Sequence, residues 1–166
     1  MACLRELRPT LSRSQVAIAD CGFGGVGPKY DPADTLEKIG PTIGIDVSHP
    51  PDQAGVPVTG KPTVTQVPAL VDTGAGDSCI DEQLAIDLGF PLVDKQQGAG
   101  VSGADEFNIY LAHVAIPALG ISKYGSFLGA RLSKGGQKHR ALLGRDLLKS
   151  AILIYDGPAG TVRLVR

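Results

Sequence analysis

Glycine and proline punctuate this chain too closely for long helices. There are 22 Gly and 12 Pro in 166 residues. That is a breaker roughly every five residues, and each tends to end a helix or mark a turn. A helical bundle is thereby excluded, and many turns between short strands are predicted. The residues left to fill a core are aliphatic, because apolar residues make up 43% of the chain, aromatics only 5%, and there is no Trp. The length is enough for one domain with a real core. A net charge of −1 gives no general attraction to nucleic acid or to an anionic membrane, so neither is expected as a partner.

The segment MACLRELRPTLSRSQ carries basic residues but no apolar stretch like that of a signal peptide. No run in the sequence is long and apolar enough to span a bilayer. Cys3, Cys21 and Cys79 lack C-x-x-C spacing, so neither a metal site nor a disulfide framework is expected. Reduced thiols, a soluble cytoplasmic protein and no cofactor are the expectations.

Residues 1–40 read as a lead-in. Gln15–Asp20 suits a short strand, and CGFGGVGPKYDP suits a loop. A dinucleotide loop must open a helix whose N-terminus faces the phosphates. Gly27 is instead followed by PKYDP, so a plain turn is the better reading. Asp34–Ile39 suits one or two helical turns, with Asp31 or Asp34 near the start. Thr42–Val47 and Thr63–Val71 read as strands, with the Pro- and Gly-rich loop His49–Pro57 between them.

Ile80, Leu84 and Leu88 repeat at intervals of four, which predicts a helix over Cys79–Leu88 stopped by Gly89. Two strands are predicted around a glycine-rich tip, Gly98–Gly103. The second, Phe107–Ile116, sets Phe107, Ile109, Leu111 and His113 on one face and Tyr110, Val114 and Ile116 on the other. No nucleophile motif accompanies His113, so it reads as a strand histidine bonded to a neighbour, and His49 as a loop histidine. Six Lys or Arg and no acid fall between Ile121 and Arg145, the pattern of a solvated face, with SKGGQKHR as loop. The end of the chain reads as a strand finishing at Gly144, a short helix from Arg145, a strand Ala151–Tyr155, a turn at DGPAG and a last strand Thr161–Val165.

One stretch does not fit a purely structural role. In ALVDTGAGDSCID, Ala69–Asp81, an apolar run delivers the carboxylate of Asp72 into a tight turn of small residues. A carboxylate beside a buried strand is costly unless hydrogen-bonded. Gly74 and Gly76 allow backbone or a ligand to come close. Helix capping accounts for Asp77 or Ser78 better than for Asp72, which sits too early.

A second element, ALLGRDLL at Ala141–Leu148, follows in order. Together with the glycine-rich tip and the final strands, the set resembles the retropepsin-like aspartic proteases, over roughly residues 41–166. The resemblance implies an all-β, closed barrel-like domain of the pepsin-like class with one or two short helices, preceded by an N-terminal extension (1–40). It implies Asp72 as the catalytic aspartate, Thr73 bonding across a dimer and Gly74 carrying substrate main chain. Gly76 and Asp77 would border the substrate, together with Gly100, Val101, Ser102 and Gly103 of a flap. Leu142, Leu143, Gly144 and Arg145 would support the loop from behind.

Retroviral relatives usually have an acid where this chain has Gly76, paired with the arginine here numbered 145; Asp77 or Asp146 is the candidate replacement. No second D-T-G or D-S-G occurs in the chain. A two-acid mechanism therefore implies a homodimer acting on polypeptides, with Thr161–Val165 as the interleaved interface strand. The alternative function is a peptide-binding or scaffolding module on the same fold, without turnover.

Overall fold

A computed structural model describes residues 16–24, 29–52, 60–100 and 103–166, with backbone only at 98–100 and 103–105. The strands are β1 (Ile18–Asp20), β2 (Thr42–Ser48), β3 (Thr63–Val71), β4 (Cys79–Asp81), β5 (Leu92–Gly100), β6 (Gly103–Ile116), β7 (Ile121–Ala130), β8 (Ala141–Leu143), β9 (Ile152–Asp156) and β10 (Thr161–Val165). Three short helices, α1 (Pro32–Ile39), α2 (Glu82–Asp87) and α3 (Arg145–Leu148), and a 3-10 turn, Pro117–Leu119, complete the described elements. The predicted all-β class holds: residues 41–166 carry two short helices, α2 and α3, and α1 lies in the lead-in, where one or two helical turns were expected.

Strand order explains the shape. The larger sheet runs β2-β3-β8-β4-β7-β6-β5, and β2 also pairs with β6. That extra pairing closes six strands into a ring and leaves β5 outside it, removing the exposed edges an open sheet would have. The interior is aliphatic: Ile45, Val47, Ile80, Val114, Phe127 and Leu143 are at most 1% exposed. Along β6, Tyr110, Ala112, Val114 and Ile116 turn into this core, as period-2 alternation requires.

The smaller sheet has the order β1-β10-β9. It ties the lead-in to the end of the chain: Ile18 pairs with Val165 and Asp20 with Arg163. Helix α1 begins with Asp31, whose carboxylate accepts the amides of Ala33 and Asp34, a standard N-cap. It buries Leu36 in the same core as the barrel strands.

Two expectations are corrected here. Cys79–Asp81 is strand, not the first turn of a helix, because it pairs with β7 on one side and β8 on the other. The residue preceding α2 is Asp81, so neither Asp77 nor Ser78 caps that helix. In addition, the stretch before SKGGQKHR holds a ten-residue strand, β7, that the sequence did not announce. The basic residues around it are largely paired inside the chain. Lys123 meets Asp146, Arg131 meets Glu82 and Arg140 meets the buried Asp81.

Candidate active site

The site forms where β8 slides between β3 and β4. Ala69, Leu70 and Val71 run parallel to Ala141, Leu142 and Leu143, while Cys79 and Ile80 run antiparallel to Leu142 and Ala141. The strands on either side of the loop Asp72–Ser78 thus both rest on one three-residue strand. A short apolar strand with neighbours on both edges is the pattern of a fully buried strand, and Leu143 is fully buried.

Backbone hydrogen bonds then fix the loop. Asp72 N–H donates to Leu143 O at 3.0 Å, Arg145 N–H to Ala75 O at 3.0 Å and Asp146 N–H to Gly76 O at 3.1 Å. Asp72 is half-buried, and its Oδ1 accepts the amides of Gly74 at 2.8 Å and Ala75 at 3.3 Å. Those bonds offset the cost of holding a carboxylate at the end of an apolar strand. Oδ2 has no hydrogen-bond partner among the described residues, so one oxygen is braced and the other is free for a reactant. Thr73 and Gly74 are exposed, and the Thr73 hydroxyl likewise has no partner among the described residues.

Behind the loop lies a network that the sequence alone did not reveal. Ser78 N–H and Oγ–H both donate to Asp146 Oδ1, at 2.9 and 2.6 Å. The Ser78 hydroxyl in turn accepts the amide of Gly144 at 2.9 Å. Lys123 Nζ reaches Asp146 Oδ2 at 2.5 Å. Burial disfavours the ionised Asp146, but the hydrogen bonds from Lys123 and Ser78 and the Lys123 charge outweigh it, holding the carboxyl below its usual range. A polar link therefore runs from β7 through α3 to the Asp72–Ser78 loop. The acid directly after Gly-Arg was the available clue, but its partners lie 68 and 23 residues away.

Gly144 has to be glycine for steric reasons: a Cβ there would lie 2.6 Å from Asp77 C and 2.8 Å from its oxygen. At Gly76 a Cβ would meet nothing nearer than Arg145 Nη2 at 3.6 Å, so that position is open. Arg145 braces the loop without an acid: its Nη1 donates to Thr73 O at 2.8 Å and Gly74 O at 2.9 Å. Asp146 is thus not the replacement partner for Arg145, being engaged by Ser78 and Lys123.

Of the flap residues, Gly100 and Gly103 are paired at the end of the β5–β6 hairpin, while Val101 and Ser102 lie outside the described residues. The hairpin projects from the barrel, with Pro91–Gln97 exposed throughout. Beside Thr73 is a hollow of about 320 Å³ whose lining, from Leu148, Leu153, Leu164, Lys149 and Arg145, is mainly apolar. The two histidines weighed as site candidates are structural. His49 Nε2 bonds Leu88 O at 2.7 Å, with its ring edge-on to Phe90, and His113 Nδ1 lies 3.3 Å from Ser48 Oγ. No group of three or more His, Cys, Asp or Glu able to hold a metal occurs among the described residues.

Comparison with known families decides the affiliation. The family model described as aspartyl protease matches residues 55–147, more than half of the chain and including both the Asp72 loop and the Gly144–Arg145 element. The chain belongs to the aspartyl protease family. No curated protein matches it. Among solved structures it is similar to the EIAV protease complexed with the inhibitor HBY-793, at 24% identity and a TM-score of 0.38, covering 56% of this chain and 89% of that one. It is also similar to a retropepsin-like aspartic protease from Rickettsia conorii, at 18% identity and a TM-score of 0.42, covering 75% and 91%.

Proposed function

We propose that the chain is a retropepsin-like aspartic endopeptidase that works as a homodimer, each copy supplying one Asp72. The observation that carries the reading is the state of that carboxylate: Oδ1 is held by two backbone amides, while the group sits on an exposed loop of an aspartyl protease chain. Two such carboxylates brought close together cannot both ionise easily and share one proton. One then takes a proton from the attacking water, and the other donates to the scissile carbonyl. The Thr73 hydroxyl, without a partner among the described residues, would bond to the second copy. Gly74, Gly76 and Asp77 offer a low rim for an extended peptide. The β5–β6 hairpin, through Gly100, Val101, Ser102 and Gly103, closes over it and adds strand-like hydrogen bonds. Leu142, Leu143, Gly144 and Arg145 hold the loop in place. Residues 41–166 would be the protease domain, with 1–40 as an extension of it. We place its work in the cytoplasm, where the free thiols of Cys21 and Cys79 stay reduced.

The test is cleavage of an unfolded polypeptide at mildly acid pH, with and without an aspartic-protease inhibitor. Inhibitor-sensitive cleavage, lost by several orders of magnitude in a folded Asp72→Asn variant, supports the reading. Binding of the polypeptide without cleavage would instead make the chain a peptide-binding module.

A further inference from the structure

Arg145 is only half used by the loop that it braces. A guanidinium carries its N–H donors in one rigid, planar fork. Nη1 is spent on Thr73 O and Gly74 O. The Nε–H and Nη2–H groups have no hydrogen-bond partner among the described residues. No carboxylate among those residues forms an ion pair with Arg145 either. Asp146, the next residue, is held by Ser78 and Lys123. Asp77 is exposed and pairs with no cation among the described residues. Arg145 is itself exposed, so its remaining donors are open to a ligand.

Room lies beside those donors. Gly76 is exposed, and a Cβ built on it would meet only Nη2 of Arg145, at 3.6 Å. The two sides of this gap are fixed to each other by backbone, through Arg145 N–H on Ala75 O and Asp146 N–H on Gly76 O. Lys149 lines the hollow that Arg145 shares with Thr73, so a second cation stands on the same rim. A fixed positive fork facing an open gap suits a carboxylate, whose two oxygens match paired N–H donors. A neutral amide of the same shape has one acceptor oxygen and no charge.

We infer that Arg145 determines substrate specificity, receiving across the Gly76 gap the carboxylate of an acidic side chain on the polypeptide. This rests on the endopeptidase reading above and deepens it by naming the substrate class: segments with Glu or Asp near the cut. The acidic residue is not the one at the scissile bond. That bond lies at Asp72, and Gly76 is further along the loop, so an extended peptide rising about 3.3 Å per residue reaches the gap with a residue beyond it. Two copies related by a two-fold axis present two such guanidinium groups. The preference therefore recurs on both sides of the cut.

The test compares charge at constant shape. A peptide spanning a bond that the full chain cleaves is made with Glu, or its neutral isostere Gln, at each position on either side of the cut. It is assayed at about pH 6, where Glu is ionised. At one position on each side, kcat/KM for Glu should exceed that for Gln at least about fivefold. The ratio should shrink in about 1 M salt. Gly76→Asp sets an internal carboxylate at the guanidinium and should bring the ratio to unity or below. Arg145→Gln should do the same. Each variant is scored by its own ratio, so a general loss of turnover cancels. Should Arg145→Gln fail to fold, Gly76→Asp decides alone. A wild-type ratio near unity at every position, with the Gln peptides cleaved, overturns the inference and leaves the endopeptidase standing. That ratio joined to a weaker dimer in Gly76→Asp would assign the guanidinium to the second copy, and overturns it too. A Glu preference that survives unchanged in Gly76→Asp places the acid elsewhere and rules out Arg145. If no peptide bond in any polypeptide is cut, both readings fall.

Discussion

Removing the Asp146 carboxylate probes the polar link beneath the Asp72–Ser78 loop. In Asp146→Ala the buried Ser78, only 2% exposed, loses the acceptor of both its amide and its hydroxyl. A buried N–H left unpaired costs about 1–3 kcal/mol, and a hydrogen bond to a charged acceptor is worth about 1.5–3. These do not simply add, because Lys123 can regain water and the Ser78 hydroxyl can turn. A net loss of about 2–4 kcal/mol follows. For a chain of this size that lowers Tm by roughly 4–16 °C.

The effect has a pH signature. Asp146 sits below its ordinary value of 3.8. Its stabilisation is therefore fully present above that value and is lost as pH falls through the lower folded-state pKa. Thermal melts followed by circular dichroism, stepped from about pH 7 to about pH 3, should show a constant gap between wild type and variant that closes only at the acid end. A variant melting within about 1 °C of wild type at neutral pH, or a gap that persists unchanged in acid, would refute the network's role.

Three further outcomes are expected. Gly144→Ala should destabilise by about 1–3 kcal/mol through overpacking against the Asp77 backbone, measured by urea unfolding; an unchanged midpoint would mean that the loop yields freely. His139 is 3% exposed, and burial lowers its pKa from 6.5. Thr42 Oγ1 donates to Gly40 O, so its contact with His139 Nε2 needs the proton on that nitrogen, leaving Nδ1 as a buried acceptor with no partner among the described residues. Wild-type Tm should accordingly fall as pH drops below about 6.5, and His139→Gln should flatten that slope; equal slopes would contradict the assignment. Gly103→Val should lower peptidase activity with little change in Tm, since its partner Gly100 sits at the outer end of a hairpin; an unfolded variant would mean that the tip is core.

What the sequence revealed, and what it hid, follows from how local each signal is. Thr63–Val71 and the turn after it were legible because an apolar strand meets an acid among glycines within thirteen residues. β7 was hidden by its own glycines. Gly125 takes a backbone conformation inside the strand, φ +154°, that other residues rarely adopt, and a Cβ at Gly129 would strike the Tyr110 ring at 2.7 Å, so these glycines serve the strand where the sequence suggested turns. β4 was hidden by the four-residue spacing of Ile80, Leu84 and Leu88, a helical period that pairing with β7 and β8 overrides. The Ser78–Asp146–Lys123 link needed the barrel closed before its members could meet. The expected interleaving of Thr161–Val165 failed for a related reason, since only the pairing of Ile18 with Val165 shows that this edge is taken.

The most direct test of a site built from two Asp72 carboxylates is a mixing experiment. Wild type is combined with a threefold excess of Asp72→Asn, allowed to exchange, and assayed per wild-type chain. Random pairing leaves only one quarter of wild-type chains with a wild-type partner, so specific activity should fall to roughly a quarter of its unmixed value. Specific activity that stays at its unmixed value after full exchange would show that a single Asp72 suffices, and would contradict the shared site.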